Sequence, residues 1–376
     1  MIENQNIAVV VPCYNEELLI GRVIETMPDF VDRVYVVDDC SSDATCEKVE
    51  SYIGKSAEQE MDVCLIRHVE NQGVGAAIVT GYKEAIADGM DVVAVMAGDA
   101  QMDPDDLQSV ITPVVYDEAD YVKGNRLFTG EAWETIPRYR YLGNSVLSLL
   151  TKIASGYWHI ADSQTGYTAI SRKTLEALPL TKLYKRYGYP NHLLVMLNVY
   201  NFRAIDVPVR PVYNVGEKSG IRLHKVIPRM SWLLLKQFFW RMKEKYVIRD
   251  FHPLLFFYGF GMLLLFTCFL LSVRVFWMMY SQEGYIPPIN AMACMFTAIT
   301  GLQLLLFAMW IDMENNRSLN GTENTHRVFP RGQTNKREAR YDTPSNSENG
   351  RQRNDRVPET RLVQHASVRP TSEVKE

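Results

Sequence analysis

The chain has 376 residues, with 40 Lys and Arg against 44 Asp and Glu and a formal net charge of −4. That length holds one large α/β domain and further segments, and the charge balance gives no electrostatic reason to expect a nucleic-acid partner. The six cysteines (Cys13, Cys40, Cys46, Cys64, Cys268, Cys294) contain no C-x-x-C pair, which excludes the usual zinc spacing and a disulfide framework and marks them as reduced thiols.

Ile7 to Val11 (IAVVV) is short, β-branched and stopped by Pro12, which predicts a strand buried on both faces. As a signal-peptide core it is too short. PCYNEE then opens a helix, with Asn15 as the expected N-cap and Glu16 and Glu17 in its first turn. Val34 to Val37 is the second strand, ending in Asp38 and Asp39, and Ser42 or Asp43 caps the next helix. Val63 to Arg67 is the third. NQGVGAAIVTGYKEAIADG follows as a Gly-punctuated turn and an Ala-rich helix. Its Gly73 and Gly75 fit neither a dinucleotide fingerprint nor a Walker A loop.

Val92 to Met96 is the fourth strand, and the acids Asp99, Asp103, Asp105 and Asp106 follow it. Asp103 before Pro104 reads as an N-cap with Pro at the first helical position. A cap does not account for Asp99 and Gln101, which lie at the strand's carboxyl end, where ligands of α/β sheets collect. They are hard oxygen donors suited to Mg²⁺ or Mn²⁺ carrying a phosphate. The strand–helix alternation predicts a right-handed, mostly parallel α/β sheet. Beyond Asp120 the pattern loosens: YVKGNRLF reads as strand then loop, Arg126, Arg138 and Arg140 cluster near aromatic residues, and Asp162 precedes a turn and strand. Leu193 to Val199 reads as a helix, with short strands at Phe202 to Val207 and Val209 to Val212 and a basic loop, VGEKSGIRLHK, after them.

Past Pro228 the chain mixes Trp, Phe and Leu with Lys and Arg at helical spacing, the pattern of a helix lying in a membrane interface. Two apolar stretches, about 254–280 and about 289–311, are each long enough to cross a bilayer core of roughly 30 Å. The loop between them has no Lys or Arg, whereas the outer flanks are basic. The positive-inside rule therefore places the N-terminal domain and the tail on the cytoplasmic face of the cell membrane. The predicted organisation is a folded domain over 1–226, a juxtamembrane amphipathic helix over 227–250, two spans within 251–313, and a disordered polar tail over 314–376.

The motifs VVVPCYNEE, VVDDCSSDAT, NQGVGAA with GYKEA, AGDAQMDP, KGNRL, DSQTGY and GEKSGIR run from Ile7 to about Arg222. In this order they resemble the inverting glycosyltransferase family 2 with its GT-A fold, and within it the polyprenyl-phosphate and dolichol-phosphate sugar synthases. The resemblance implies transfer of one sugar from a nucleotide sugar of the GDP-mannose or UDP-glucose type to a polyprenyl phosphate. Another donor, such as a UDP-aminosugar, and a non-catalytic nucleotide-sugar binder are the alternatives. It implies that Pro12, Tyr14, Glu16, Asp38 and Asp39 line the nucleotide pocket and that Gly73, Gly75 and Ala76 let backbone pass close to the nucleotide. Asp99 and Gln101 would hold the metal. Arg126, Arg140, Lys218, Ser219 and Arg222 would bind the acceptor phosphate. Asp162 lies close to the reacting centre by the same resemblance, and either orders the acceptor arginines or caps a turn. The sequence departs from the family where Ala97 replaces the first acid of Asp-x-Asp and where Gly73-Val74-Gly75 replaces Gly-Lys-Gly. Gln237-Phe238-Phe239-Trp240-Arg241 does not match the Q-x-x-R-W of processive synthases. Homo-oligomerisation through the spans is a further expectation.

Overall fold

The computed structural model describes residues 2–53, 61–127, 138–210, 212, 223–281 and 287–321, with the backbone alone at 138–142, 144 and 223–226. Its first four strands are β1 (Ile7–Cys13), β2 (Arg33–Asp38), β3 (Asp62–Arg67) and β4 (Val92–Val95). They alternate with helices α1 (Ile20–Glu25), α2 (Thr45–Glu50) and α3 (Val74–Ala87), and α4 (Leu107–Val115) follows β4. β5 (Tyr121–Asn125), α5 (Arg138–Ser155), β6 (Thr168–Ser171), α6 (Arg172–Ala177), α7 (Tyr189–Val199) and β7 (Ala204–Pro208) complete the domain.

The seven strands form one sheet in the order β3-β2-β1-β4-β6-β5-β7. β1 pairs in parallel with β2 and β4, and β6 runs antiparallel to both β4 and β5. The connections leave β1 in both directions, so a crevice opens beyond the carboxyl ends of β1 and β4, as at any such reversal of strand order. Alternate residues of β1 enter different cores. Ile7, Val9 and Val11 pack on one face with Ile20, Leu107 and Val110, and Ala8 and Val10 on the other with Ile78, Tyr82 and Leu193. This two-sided burial is why the strand reads as a continuous apolar run.

Several boundaries differ from the sequence reading. α1 starts at Ile20, and Asn15 does not cap it. Asn15 adopts φ 59° and its Oδ1 accepts the Ser42 amide. No strand covers 209–212 among the described residues, since Val209 hydrogen-bonds Asn125 as a single contact beyond Pro208. Asp103 does cap a short 3₁₀ turn, its Oδ1 accepting the Asp105 amide. Asp106 has a task beyond the first turn: its carboxylate accepts from both the backbone and the guanidinium of Arg210.

After the domain come α8 (Leu223–Lys243), a π-helical turn over Glu244–Arg249, and two helices long and apolar enough to cross a membrane, α9 (Leu254–Ser281) and α10 (Pro288–Asn315). α8 buries Met230, Leu234, Phe238 and Met242 against α5 and α7 and leaves Trp232, Leu235 and Phe239 exposed. α9 and α10 pack closely at Gly261 and Gly301, where an added Cβ would press on Leu305 and Leu265 respectively. A polar cluster fixes the end of α10 to the domain. Arg241, fully buried, donates to both oxygens of Asp312 (2.8 and 2.9 Å) and to the carbonyls of Ile153 and Ala154. The Tyr246 hydroxyl also donates to Asp312, and Lys245 donates to Asn198 and Asn316. The chain is not yet a loose polar tail at 314. Leu319 is buried in the domain core and Asn320 bridges Ala204 of β7. The remainder of the expected tail lies outside the described residues.

Candidate active site

A cavity of about 400 Å³ occupies the crevice, lined by Pro12 and Cys13 at the end of β1, which continues through the expected stop at Pro12, and by Tyr14 and Glu16 after it. Asp39 after β2, Asn71, Gly73, Val74 and Ala77 at the head of α3, Ala97 to Asp99 after β4, and Arg186 and Tyr187 before α7 complete the lining. The close fit of the β1 and β4 ends depends on a small residue: a Cβ at Gly98 would come 3.0 Å from that of Cys13. Asp99 accepts the Gln101 amide at 3.1 Å across a turn in which Ala100 takes φ 54°. Glu16 shares the cavity with Asp99, and its carboxyl is pushed up to about 7, first by burial and then by the charges of Asp99 and Asp43. Gln101 is not among the cavity-lining residues; its carbonyl accepts the Val212 amide.

The two adjacent acids after β2 have separate tasks. Asp38 is 2 % exposed and accepts the Ser41 amide, which braces its own turn beneath the cavity. Asp39 reaches across to the head of α3 and accepts the amides of Gln72 (2.9 Å) and Gly73 (2.7 Å). His68 Nδ1 lies 2.8 Å from Asp39, and its Nε2 lies 2.9 Å from the Thr80 hydroxyl. Nδ1–H therefore donates to the carboxylate, and Nε2 meets the Thr80 hydroxyl.

Gly73 lines the cavity, but what the glycines at the head of α3 accommodate is protein backbone. The Lys185 carbonyl accepts the amides of Gly75 (2.9 Å) and Ala76 (3.2 Å), and a Cβ at Gly75 would collide with the Tyr184 carbonyl. This crossing carries Arg186 and Tyr187 into the cavity wall. Neither residue, nor Asn71, was singled out in the sequence. Asn71 lies inside the NQGVG motif, whereas KRYGYP carries no comparable signal.

A second cluster lies on the same sheet edge. Val95, Thr168 and Lys123 form one rung across β4, β6 and β5, so Asp99 and Arg126 both lie just beyond it. Two strand spacings, about 10 Å, separate the β4 and β5 ends of that rung. Arg126 grips Asp162 with a fork, Nε to Oδ2 at 2.7 Å and Nη2 to Oδ1 at 3.2 Å, while its side chain keeps 30 % exposure. Asp162 is buried; burial would raise its pKa, but Arg126 and then Lys123 outweigh that and hold it below the usual carboxylate range. Asp162 also accepts the Gln164 amide, so it both orders an arginine and caps a turn. Arg140 lies in α5, where the backbone alone is described. Lys218, Ser219 and Arg222 lie outside the described residues.

A sequence model of glycosyl transferase family 2 matches residues 8–178. The UDP-N-acetylglucosamine–dolichyl-phosphate N-acetylglucosaminyltransferase of Methanococcus voltae is 31 % identical over 216 residues, covering 55 % of this chain and 86 % of that one. The dolichol-phosphate mannosyltransferase of Pyrococcus furiosus is 27 % identical, covering 54 % of this chain and 55 % of that one. The polyprenol monophosphomannose synthase of Mycolicibacterium smegmatis is 26 % identical, covering 60 % and 86 %. Among solved structures, glucosyl-3-phosphoglycerate synthase from Mycobacterium tuberculosis, crystallised with Mn²⁺, UDP-glucose and phosphoglyceric acid, matches with a TM-score of 0.44 at 19 % identity, covering 63 % of this chain and 80 % of that one. The motifs along the sheet edge agree with the family model and the Methanococcus relative, and the chain belongs to glycosyl transferase family 2.

Proposed function

We propose that this glycosyltransferase moves one sugar from a nucleotide sugar to a polyprenyl phosphate at the cytoplasmic face of a membrane, with inversion at the anomeric carbon. One observation carries the reading: the acid-lined cavity and the Arg126–Asp162 pair share a sheet edge in a domain bolted to two membrane-length helices. The names of the relatives from Methanococcus, Pyrococcus and Mycolicibacterium support the acceptor class.

The acceptor phosphate has a second pKa near 6, so at neutral pH it is largely dianionic and needs no general base. Arg126, with its orientation fixed by Asp162, offers its exposed edge to that phosphate. Among the described residues lining the cavity, Glu16, Asp39 and Asp99 stand beside Arg186, a set that favours added positive charge when a nucleoside diphosphate binds. The Glu16 carboxyl, raised first by burial, is raised further by the nearby charges of Asp99 and Asp43. A divalent ion fits this donor set, because Mg²⁺ is typically held by one or two carboxylates plus substrate phosphates and water. Asp99 would hold it, with Glu16 lining the same cavity and the Gln101 amide bracing the Asp99 carboxylate. Bound there, Mg²⁺ or Mn²⁺ would neutralise charge on the departing nucleoside diphosphate.

Charge and packing support the proposed cytoplasmic side. The start of α9 and the end of α10 both lie against the domain, with Arg229, Lys236, Lys243 and Arg249 nearby in sequence, and the 282–286 connection has no Lys or Arg. This is the positive-inside pattern. The exposed Trp232, Leu235 and Phe239 of α8, interleaved with Arg229 and Lys236, suit the headgroup layer.

GDP-mannose and UDP-glucose are the first donors to test, and UDP-N-acetylglucosamine is a second reading favoured by the 31 % identity to the Methanococcus enzyme. Membranes holding the chain, given each labelled donor and a polyprenyl phosphate, should yield one labelled, chelator-sensitive lipid product on thin-layer plates. Absence of lipid product from every donor would overturn the reading and favour a tethered nucleotide-sugar binder.

A further inference from the structure

We propose that Lys123 is a positioning residue for the acceptor, a buried cation that holds the 162–166 turn and places a second positive charge behind the Arg126–Asp162 pair. The proposal rests on the acceptor-site reading above. Lys123 is the central residue of β5 and is fully buried, an environment Lys almost never occupies without a partner. Its Nζ donates to the Thr165 carbonyl. The Asp162 carboxylate thus belongs to a turn tied from β5 by Lys123 and by the Arg126 fork that immediately follows that strand.

The charges facing Lys123 are few. Asp162 on the turn before β6 and Asp206 on β7 favour the ammonium, and Arg126 opposes it. Asp206 is itself engaged, accepting from the Asn125 side chain and the Ala161 amide, with His159 and Lys152 as its other charged neighbours. Burial dominates and brings Lys123 down to about 7. A hydrophobic residue here would leave Asp162 to Arg126 alone. The ammonium lets Asp162 stay ionised while Arg126 keeps positive potential to spare for a phosphate. A dianion arriving at Arg126 favours the charged form of Lys123 in turn, so acceptor binding and proton retention are linked.

The test uses the full-length protein in detergent, with farnesyl phosphate as the probe and binding, not turnover, as the readout. Lys123→Met removes the charge and keeps the stem; Lys123→Gln keeps a donor without the charge and serves if the first variant fails to fold. Relative to the parent, either folded variant should bind farnesyl phosphate about tenfold more weakly at pH 6.5, a coupling of about 1.4 kcal/mol. The gap should close to about twofold by pH 9.5, once Lys123 is neutral in the parent as well. The probe's own second ionisation near pH 6 strengthens binding as pH rises and acts on all three proteins alike. Nucleotide-sugar affinity should not change. A variant-to-parent ratio near one, or one constant with pH, overturns the proposal while leaving the acceptor site standing. No binding by the parent at any pH overturns the acceptor reading and this proposal together.

Discussion

Removing the Asp312 carboxylate should be among the most damaging single changes outside the cavity. In Asp312→Ala, Arg241 would lose both of its carboxylate bonds, and Tyr246 and Asn316 would lose acceptors, at a position where Arg241 and Asp312 are each 0 % exposed. Breaking a buried pair from one side leaves an uncompensated charge and costs about 3–5 kcal/mol. For a domain of this size that is a fall in melting temperature of about 6–20 °C. Arg241→Met should cost a comparable amount. Asp312→Leu should cost as much as Asp312→Ala, and the double variant Arg241→Met with Asp312→Leu should recover most of the loss, since two apolar side chains strand no charge. Thermal unfolding in one detergent, read by tryptophan fluorescence and completed as a double-mutant cycle, measures the coupling. Single variants melting within about 2 °C of the parent, or losses that simply add in the double variant, would refute the idea that this pair joins α10 to the domain.

Three further outcomes follow from the site. Asp99→Ala and Arg126→Ala should each lower sugar transfer by about 100-fold or more while leaving membrane insertion intact, checked by product chromatography alongside vesicle flotation. Gly75→Ala should push the 184–187 segment off the head of α3 and displace Arg186 and Tyr187; nucleotide-sugar affinity, measured by calorimetry, should drop while the sheet's circular dichroism is kept. His192 accepts the Tyr184 amide through Nδ1, and burial, with Lys236 adding to it, lowers its pKa from 6.5 to about 4. Because the unfolded chain takes up this proton first, stability is fully present above about pH 6.5. It should decline by about 1.4 kcal/mol per pH unit towards pH 4, and His192→Gln should flatten that part of a denaturation-versus-pH profile.

The elements legible in the sequence were those fixed by local pattern. β1, β2 and β4 are buried apolar runs, although β1 continues through Pro12 to Cys13, and α9 and α10 are long apolar stretches. What could not be read depends on contacts distant in sequence. Nothing local at β6 shows that it runs antiparallel between β4 and β5, which decides that the segments bearing Asp99 and Arg126 leave the same edge of the sheet. Arg241 looked like part of a failed Q-x-x-R-W match until Asp312, 71 residues on, supplied its partner. Asn15 was misread as a cap because Asn is chosen both for caps and for left-handed turns, and only the Ser42 amide separates the two uses.

The glycines at the head of α3 show how much the site's chemistry depends on such distant contacts. A helix N-terminus after a glycine-rich turn is a natural anion receptor, because its first amides point outward unsatisfied. Here the Lys185 carbonyl takes the amides of Gly75 and Ala76, and Asp39 takes those of Gln72 and Gly73. With these donors spent on the protein itself, the head of α3 has little left to offer a diphosphate. On the proposed reading, Arg186 on the same crossing segment, together with an ion held at Asp99, would supply compensating charge in the cavity. The departure of Gly73-Val74-Gly75 from Gly-Lys-Gly adds to that need, since the lysine that would stand at Val74 is missing. A chain short of one cation at Val74 and one carboxylate at Ala97 thus places greater demands on Arg186, Asp99 and Glu16.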